Sequence, residues 1–113
     1  MHHGSITRRH FLIIAAALLF VLCMFDVATS YINISAGGIE LNPFMAPYTG
    51  KIADFTIIKC IYIAGVVAVG SGMMAWLPDL PIGEVWVGTH VTLHACVVGH
   101  NLSIVAHYGL LGL

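Results

Sequence analysis

A few side chains in this sequence are of types that do chemistry only when something brings them together. They are Asp26 and Ser30, Glu40 and Asn42, Lys59, and Asn101. Asp26 stands in the apolar run "HFLIIAAALLFVLCMFDVATSYI" (10–32), and Lys59 in "IADFTIIKCIYIAGVVAVGSGMMAW" (52–76). An isolated charge surrounded by hydrocarbon costs roughly 3 kcal/mol or more, so such residues pair or face a cavity. The spacing therefore predicts an Asp26–Lys59 ion pair, with Asn101 supplying amide donors and acceptors. As a proton-handling pair, the same two groups are also the residues a carrier or enzyme would use. No motif names a reaction, and the balance of the sequence points away from an enzyme.

A second set sits in the last apolar run: His90 and His94, then Cys96 and His100, each pair at i, i+4. Imidazole and thiolate suit zinc, copper or iron, so these four are the candidate ligands for a first-row transition metal. No Asp or Glu in that run completes a triad. Haem is disfavoured, because bis-histidine ligation joins two helices and the first two runs hold no histidine beyond His10.

These residues need a scaffold, and composition specifies which kind. Hydrophobic residues make up 59% of the 113-residue chain and charged residues 8%, against about 25% charged in a typical soluble domain. That excludes an ordinary water-soluble domain. The net charge of −1 and the four scattered Lys and Arg residues exclude a nucleic-acid partner. The expectation is a single all-α domain, a multi-pass bundle in the cell membrane. Three transmembrane helices are expected at about 10–32, 52–76 and 85–110, each long enough for a hydrocarbon core of about 30 Å. Arg8 and Arg9 precede the first run as in a signal peptide. The run is longer than a secretory apolar core, however, and no A-x-A site follows, so it reads as a retained helix. The same arginines place the N-terminus in the cytoplasm, with Lys51 as an opposing vote.

Between the first two runs lies "NISAGGIELNPFMAPYTGK", and between the second and third the turn "LPDLPIGE", bracketed by Trp76 and Trp86 as interfacial aromatics. Ala64, Ala68 and Gly72 have the small-x-x-x-small spacing of close helix contacts. Cys23, Cys60 and Cys96 all fall in apolar runs and read as free, buried thiols.

Depth follows from the helical rise. Asp26 lies ~24 Å along the first run, Lys59 ~11 Å into the second from the opposite end, and His100 and Asn101 ~22 to 24 Å along the third. All reach one level. Helical phase puts Cys23, Asp26, Ser30 and Asn33 on one stripe, and His90, His94, Asn101 and Tyr108 on another; both are expected to face the bundle. Cys96, His100 and His107 form a third stripe, pointing toward a partner. Gly37 and Gly38 allow a tight turn out of the first helix, and Pro43 holds Asn42 extended. Glu40 and Asn42 would then cap the Asp26 level.

Asp-x-x-Thr-Ser-Tyr (26–31), Gly-Gly-x-Glu-Leu-Asn-Pro (37–43), Lys59 and Asn101 together resemble a family of small archaeal and bacterial membrane proteins classed as a domain of unknown function. The resemblance runs from about Phe25 to Asn101. It implies three or four short spans and no established activity, and the histidines of the third run lie outside its pattern. The functional expectation is an accessory or interaction subunit of a membrane complex, partnered by the lipid bilayer and by other membrane subunits or further copies of itself.

Overall fold

In a computed structural model, residues 2–37, 47 and 51–108 are described, with side chains from Thr7 onward. The described chain is all-helical and has three helices: α1 (His2–Ser35), α2 (Ile52–Trp76) and α3 (Ile82–His107). α2 coincides with the expected run. α1 begins earlier than expected: residues 2–9 hold no proline, and Arg8 and Arg9 are good helix formers. α3 starts directly after Pro81, whose φ of −82° is compatible with a helix entry. α1 ends in a turn where Gly37 takes φ +96°, a left-handed conformation that glycine adopts without steric penalty.

Two segments, Thr7–Ser35 and Ile52–Trp76, are long and apolar enough to cross a membrane. α3 is 26 residues long, but its histidines, threonines and asparagine make it less apolar than the other two. Helices α1 and α3 run parallel and in contact, and α2 runs antiparallel to both. The contacts that establish this are Arg8 with Glu84 at one end and Asp26 with Asn101 near the other. The core holds Ala15, Leu19 and Cys23 from α1, Val66 from α2 and Val87 from α3.

The α2–α3 contact is a ladder of four rungs, each separated by one helical turn. Gly70 meets Gly83, the Val66 carbonyl accepts from Trp86 Nε1 at 3.0 Å, the Tyr62 hydroxyl meets His90 Nδ1, and Lys59 Nζ reaches His94 Nε2 at 3.3 Å. The close approach is thus made by Gly70 and Gly83. Ala64, Ala68 and Gly72 lie on the exposed side of α2, and a Cβ at Gly72 would have open space around it. Trp76 is exposed as expected of an interfacial aromatic, whereas Trp86 turns inward to its bond with Val66 and stacks edge-on against His90. Of the three free cysteines only Cys23 is buried; Cys60 and Cys96 point outward, because their helical phase opposes the core stripe.

The turn end is clamped by Arg8. Its Nε and Nη2 bond the two oxygens of Glu84 at 2.9 and 2.8 Å, and its remaining donors reach the carbonyls of Pro78 and Leu80. One guanidinium therefore ties the start of α1 to the α2–α3 turn. Its hydrogen bond holds the Glu84 carboxyl below the usual carboxylate range. A depressed folded value stabilises above the unfolded pKa, and that stability is lost as pH falls through the folded one. Both side chains keep about a fifth of their surface in contact with solvent (20% and 23%), which screens the pair. Glu84→Gln is accordingly expected to cost under about 1 kcal/mol at neutral pH and to flatten the acid limb of an unfolding-versus-pH profile. An unchanged acid limb would remove the clamp from the account.

Candidate functional site

Asp26 is 5% exposed and Lys59 8% exposed, and their charged ends lie 2.8 Å apart. Two facts of sequence produce this. Asp26 follows Leu19 and Cys23 on the α1 stripe that packs inward, and Lys59 shares the inward phase of Phe55 and Val66 on α2. The third helix closes the group through Asn101, whose Nδ2 lies 3.0 Å from Asp26 Oδ1, 3.1 Å from Thr29 Oγ1 and 3.2 Å from Ser30 Oγ.

The two N–H groups of Asn101 are shared among these three acceptors. Asp26 Oδ2 accepts from Lys59, and Oδ1 accepts from Ser30 Oγ at 3.1 Å and from Asn101. Thr29 donates to the Phe25 carbonyl at 2.7 Å, leaving its oxygen free to accept from Asn101. Lys59 has three N–H groups. One serves Asp26, one reaches His94 Nε2, and the remaining one has the faces of Phe55 and Tyr62, with ring centroids at 5.7 and 5.6 Å. Among the described residues no buried side-chain nitrogen or oxygen lacks a hydrogen-bond partner.

The state of His94 follows from its two neighbours. Its Nδ1 lies 3.0 Å from the His90 carbonyl, which can only accept, so Nδ1 carries the hydrogen. Nε2 faces an ammonium, which can only donate, so Nε2 is the acceptor. His94 is therefore a neutral imidazole with a defined tautomer, and Lys59 is the cation between a carboxylate and a lone pair.

Of the expected polar cluster, the structure brings Asp26, Ser30, Lys59 and Asn101 together; Glu40 and Asn42 lie outside the described residues, as does the cap they were expected to form. On the inward stripes Asn33 and His90 are half-buried, but Tyr108 is 70% exposed at the end of α3. The four candidate metal ligands do not converge. His90 and His94 face α2, while Cys96 and His100 are exposed; two residues further along a helix is about 200° round its axis. Among the described residues no group of three or more His, Cys, Asp or Glu is arranged to hold a metal ion.

Sequence reasoning placed His94 both among the metal candidates and on the inward stripe with Asn101, named Thr29 only within the family motif, and passed over Tyr62. The available signals were spacing ones. Thr29 is one turn from Asp26 and Tyr62 one turn from Lys59, so both were bound to share their neighbours' faces. His94 lies two turns from Asn101, and only the length of the lysine side chain brings it into the same network.

No family model, no curated protein and no solved structure matches this chain.

Proposed function

We propose that this chain is a three-span integral membrane protein serving as an accessory or interaction subunit of a larger membrane assembly. In this reading α3 is the third span and the N-terminus is cytoplasmic. The Asp26–Lys59–His94–Asn101 network sets the register of the bundle. The observation that carries the reading is that network's completeness: among the described residues each buried side-chain nitrogen and oxygen finds a hydrogen-bond partner within the chain, which is how a lock is built. A substrate site keeps a valency open for its ligand.

The surface supports the membrane setting. Only 28% and 17% of the apolar windows of α1 and α2 are buried, whereas an apolar helix in a soluble protein hides most of itself. Phe11, Ile14, Phe20 and Phe25 on α1, with Ile57 and Ile61 on α2, face outward. Such a surface suits lipid or other apolar helices. Arg8 and Arg9 at one end, near the Arg8–Glu84 clamp, favour the cytoplasmic placement of the end where α1 starts.

Extracted in a mild detergent, the protein is expected to migrate within a particle much larger than its own 12.1 kDa and to hold a second membrane polypeptide at fixed ratio. A monodisperse species containing only this chain overturns the accessory role.

One contact favours a second reading. Lys59 bridges a carboxylate and a neutral imidazole, the arrangement a proton would need to pass from one side of the lysine to the other. A proton-coupled carrier or enzyme would use Asp26, Lys59 and His94 in that way, and the variants that separate it from a lock are argued in the Discussion.

A further inference from the structure

The neighbours of His94 dictate where a further proton goes. Its Nδ1 already carries a hydrogen, donated to the His90 carbonyl at 3.0 Å. An added proton therefore lands on Nε2, the atom that accepts from the Lys59 ammonium at 3.3 Å. An imidazolium has donors only, so the polar contact between α2 and α3 at this level becomes two cations face to face.

The surrounding groups offer that second cation no counterion. From α1, Asp26 is committed, Oδ2 to Lys59 and Oδ1 to Ser30 and Asn101. Cys23, one turn before it, belongs to the apolar core. From α2, besides Lys59, Tyr62 lays its ring 5.1 Å from that of His94, and its hydroxyl meets His90 Nδ1. On α3 itself His90 stands one turn away. The other described carboxylates lie elsewhere: Arg8 holds Glu84, and Asp54 and Asp79 are exposed. One carboxylate is then left between two cations.

We infer that the Lys59–His94 contact is a pH-operated latch: protonation of His94 releases α3 from α2 at the level of Asp26, while Asn101 still ties α3 to α1. The attachments make the release local. The bonds of Asn101 to Asp26, Thr29 and Ser30, and the Arg8–Glu84 clamp, do not involve His94. The Tyr62–His90 and Val66–Trp86 rungs lie one and two turns away toward the paired glycines, so opening starts at the lysine. The inference rests on the reading of this network as a lock, and adds the condition under which one side of it opens. The unfolded chain takes up the proton at the ordinary imidazole value of about 6.5, whereas the folded chain takes it only by giving up the Lys59 contact. Stability is thus complete above that value and declines as pH falls below it.

The test is SDS unfolding of the full chain in one detergent at about pH 7.5 and about pH 5.5, either side of the imidazole value. Glu84, held below the usual carboxylate range, stays ionised at both. In the wild type the unfolding constant is expected to rise up to about tenfold on acidification, the linkage of one proton across one pH unit. His94→Gln keeps an acceptor opposite Lys59 but takes no proton in this range, so most of that rise should disappear. His100→Gln, at an exposed position of α3, should keep it. Each variant is compared with itself at two pH values, so a lower baseline stability leaves the comparison intact. An equal rise in His94→Gln and the wild type overturns the latch and leaves the lock standing. The lock fails by a different measurement, additive losses in Asp26→Leu and Lys59→Leu. Nitrogen NMR of the wild type with isotope-labelled histidine decides the matter even if His94→Gln does not fold. His94 is expected to carry its hydrogen on Nδ1 at neutral pH, and to become an imidazolium on acidification as the Trp86 indole signal shifts with it. A hydrogen on Nε2 at neutral pH, or an imidazolium that leaves the Trp86 signal unmoved, overturns the latch.

Discussion

Asp26→Leu is expected to destabilise the bundle by about 3–5 kcal/mol, whereas Asp26→Leu with Lys59→Leu loses less than half as much. The single change leaves the Lys59 ammonium, 8% exposed, with only His94 and two aromatic faces for company. The second change removes that stranded cation. What remains unmatched in the double variant is small: Asn101 keeps Ser30 and Thr29 as acceptors, and His94 keeps its bond to the His90 carbonyl. Lys59→Leu alone should fall near Asp26→Leu, since it strands the carboxylate in turn, although Ser30 and Asn101 still donate to it. Reversible unfolding by SDS titration in one detergent measures all three. Additive losses would mean the two charges do not interact, and the lock would fail as an explanation. The same double variant separates the two functional readings. A lock replaced by apolar side chains still assembles with its partners, whereas a proton path through Asp26, Lys59 and His94 is abolished even when the fold survives.

How far the sequence reaches can be argued from these residues. The pairing of Asp26 with Lys59 was readable because charge in an apolar run is constrained by a strong energy term, and helical rise converts position into depth. Asn101 followed from the same arithmetic. The side of α3 that bears each histidine was harder. Phase separates His94 from Cys96 without effort, yet the i, i+4 spacing of ligand-type residues invites a metal reading that ignores which faces the pairs occupy. His94 serves the lysine because α2 and α3 run antiparallel at a separation set by two glycines. No local pattern encodes that separation. The Arg8–Glu84 clamp joins residues 76 apart in sequence and rests on the up-down-up topology, so it too had no local signal. Small-residue spacing did not locate the internal contact. Ala64, Ala68 and Gly72 match the expected period, but the contact uses Gly70, which has no small residue four positions away on its own helix.

Gly83→Ala is expected to cost about 1–3 kcal/mol, the range for forcing an extra methyl group into a packed contact. A Cβ at position 83 would sit 2.7 Å from the Gly70 carbonyl oxygen and 2.7 Å from Met74 Cγ. The methionine can turn away; the carbonyl belongs to the backbone of α2 and moves only if the helix does. Gly70→Ala meets Val87 Cγ2 at 2.5 Å, and Val87 is fully buried (0% exposed), so it too should destabilise. Gly65→Ala and Gly72→Ala supply the contrast, because neither Cβ would find an atom within 4 Å. Those two should be neutral or stabilising by up to about 1 kcal/mol, the intrinsic helical advantage of alanine over glycine. The comparison is made by unfolding in one detergent; if Gly83→Ala behaves like Gly72→Ala, α2 and α3 do not approach so closely. The consequence reaches the polar site, since Gly70–Gly83 is the first rung of the ladder whose last is Lys59–His94. Spreading the helices at the glycines lengthens the reach that Lys59 must make, and its hold on His94, 3.3 Å long already, weakens before its 2.8 Å pairing with Asp26. The two glycines thereby act on the buried charge from three helical turns away, through backbone separation alone.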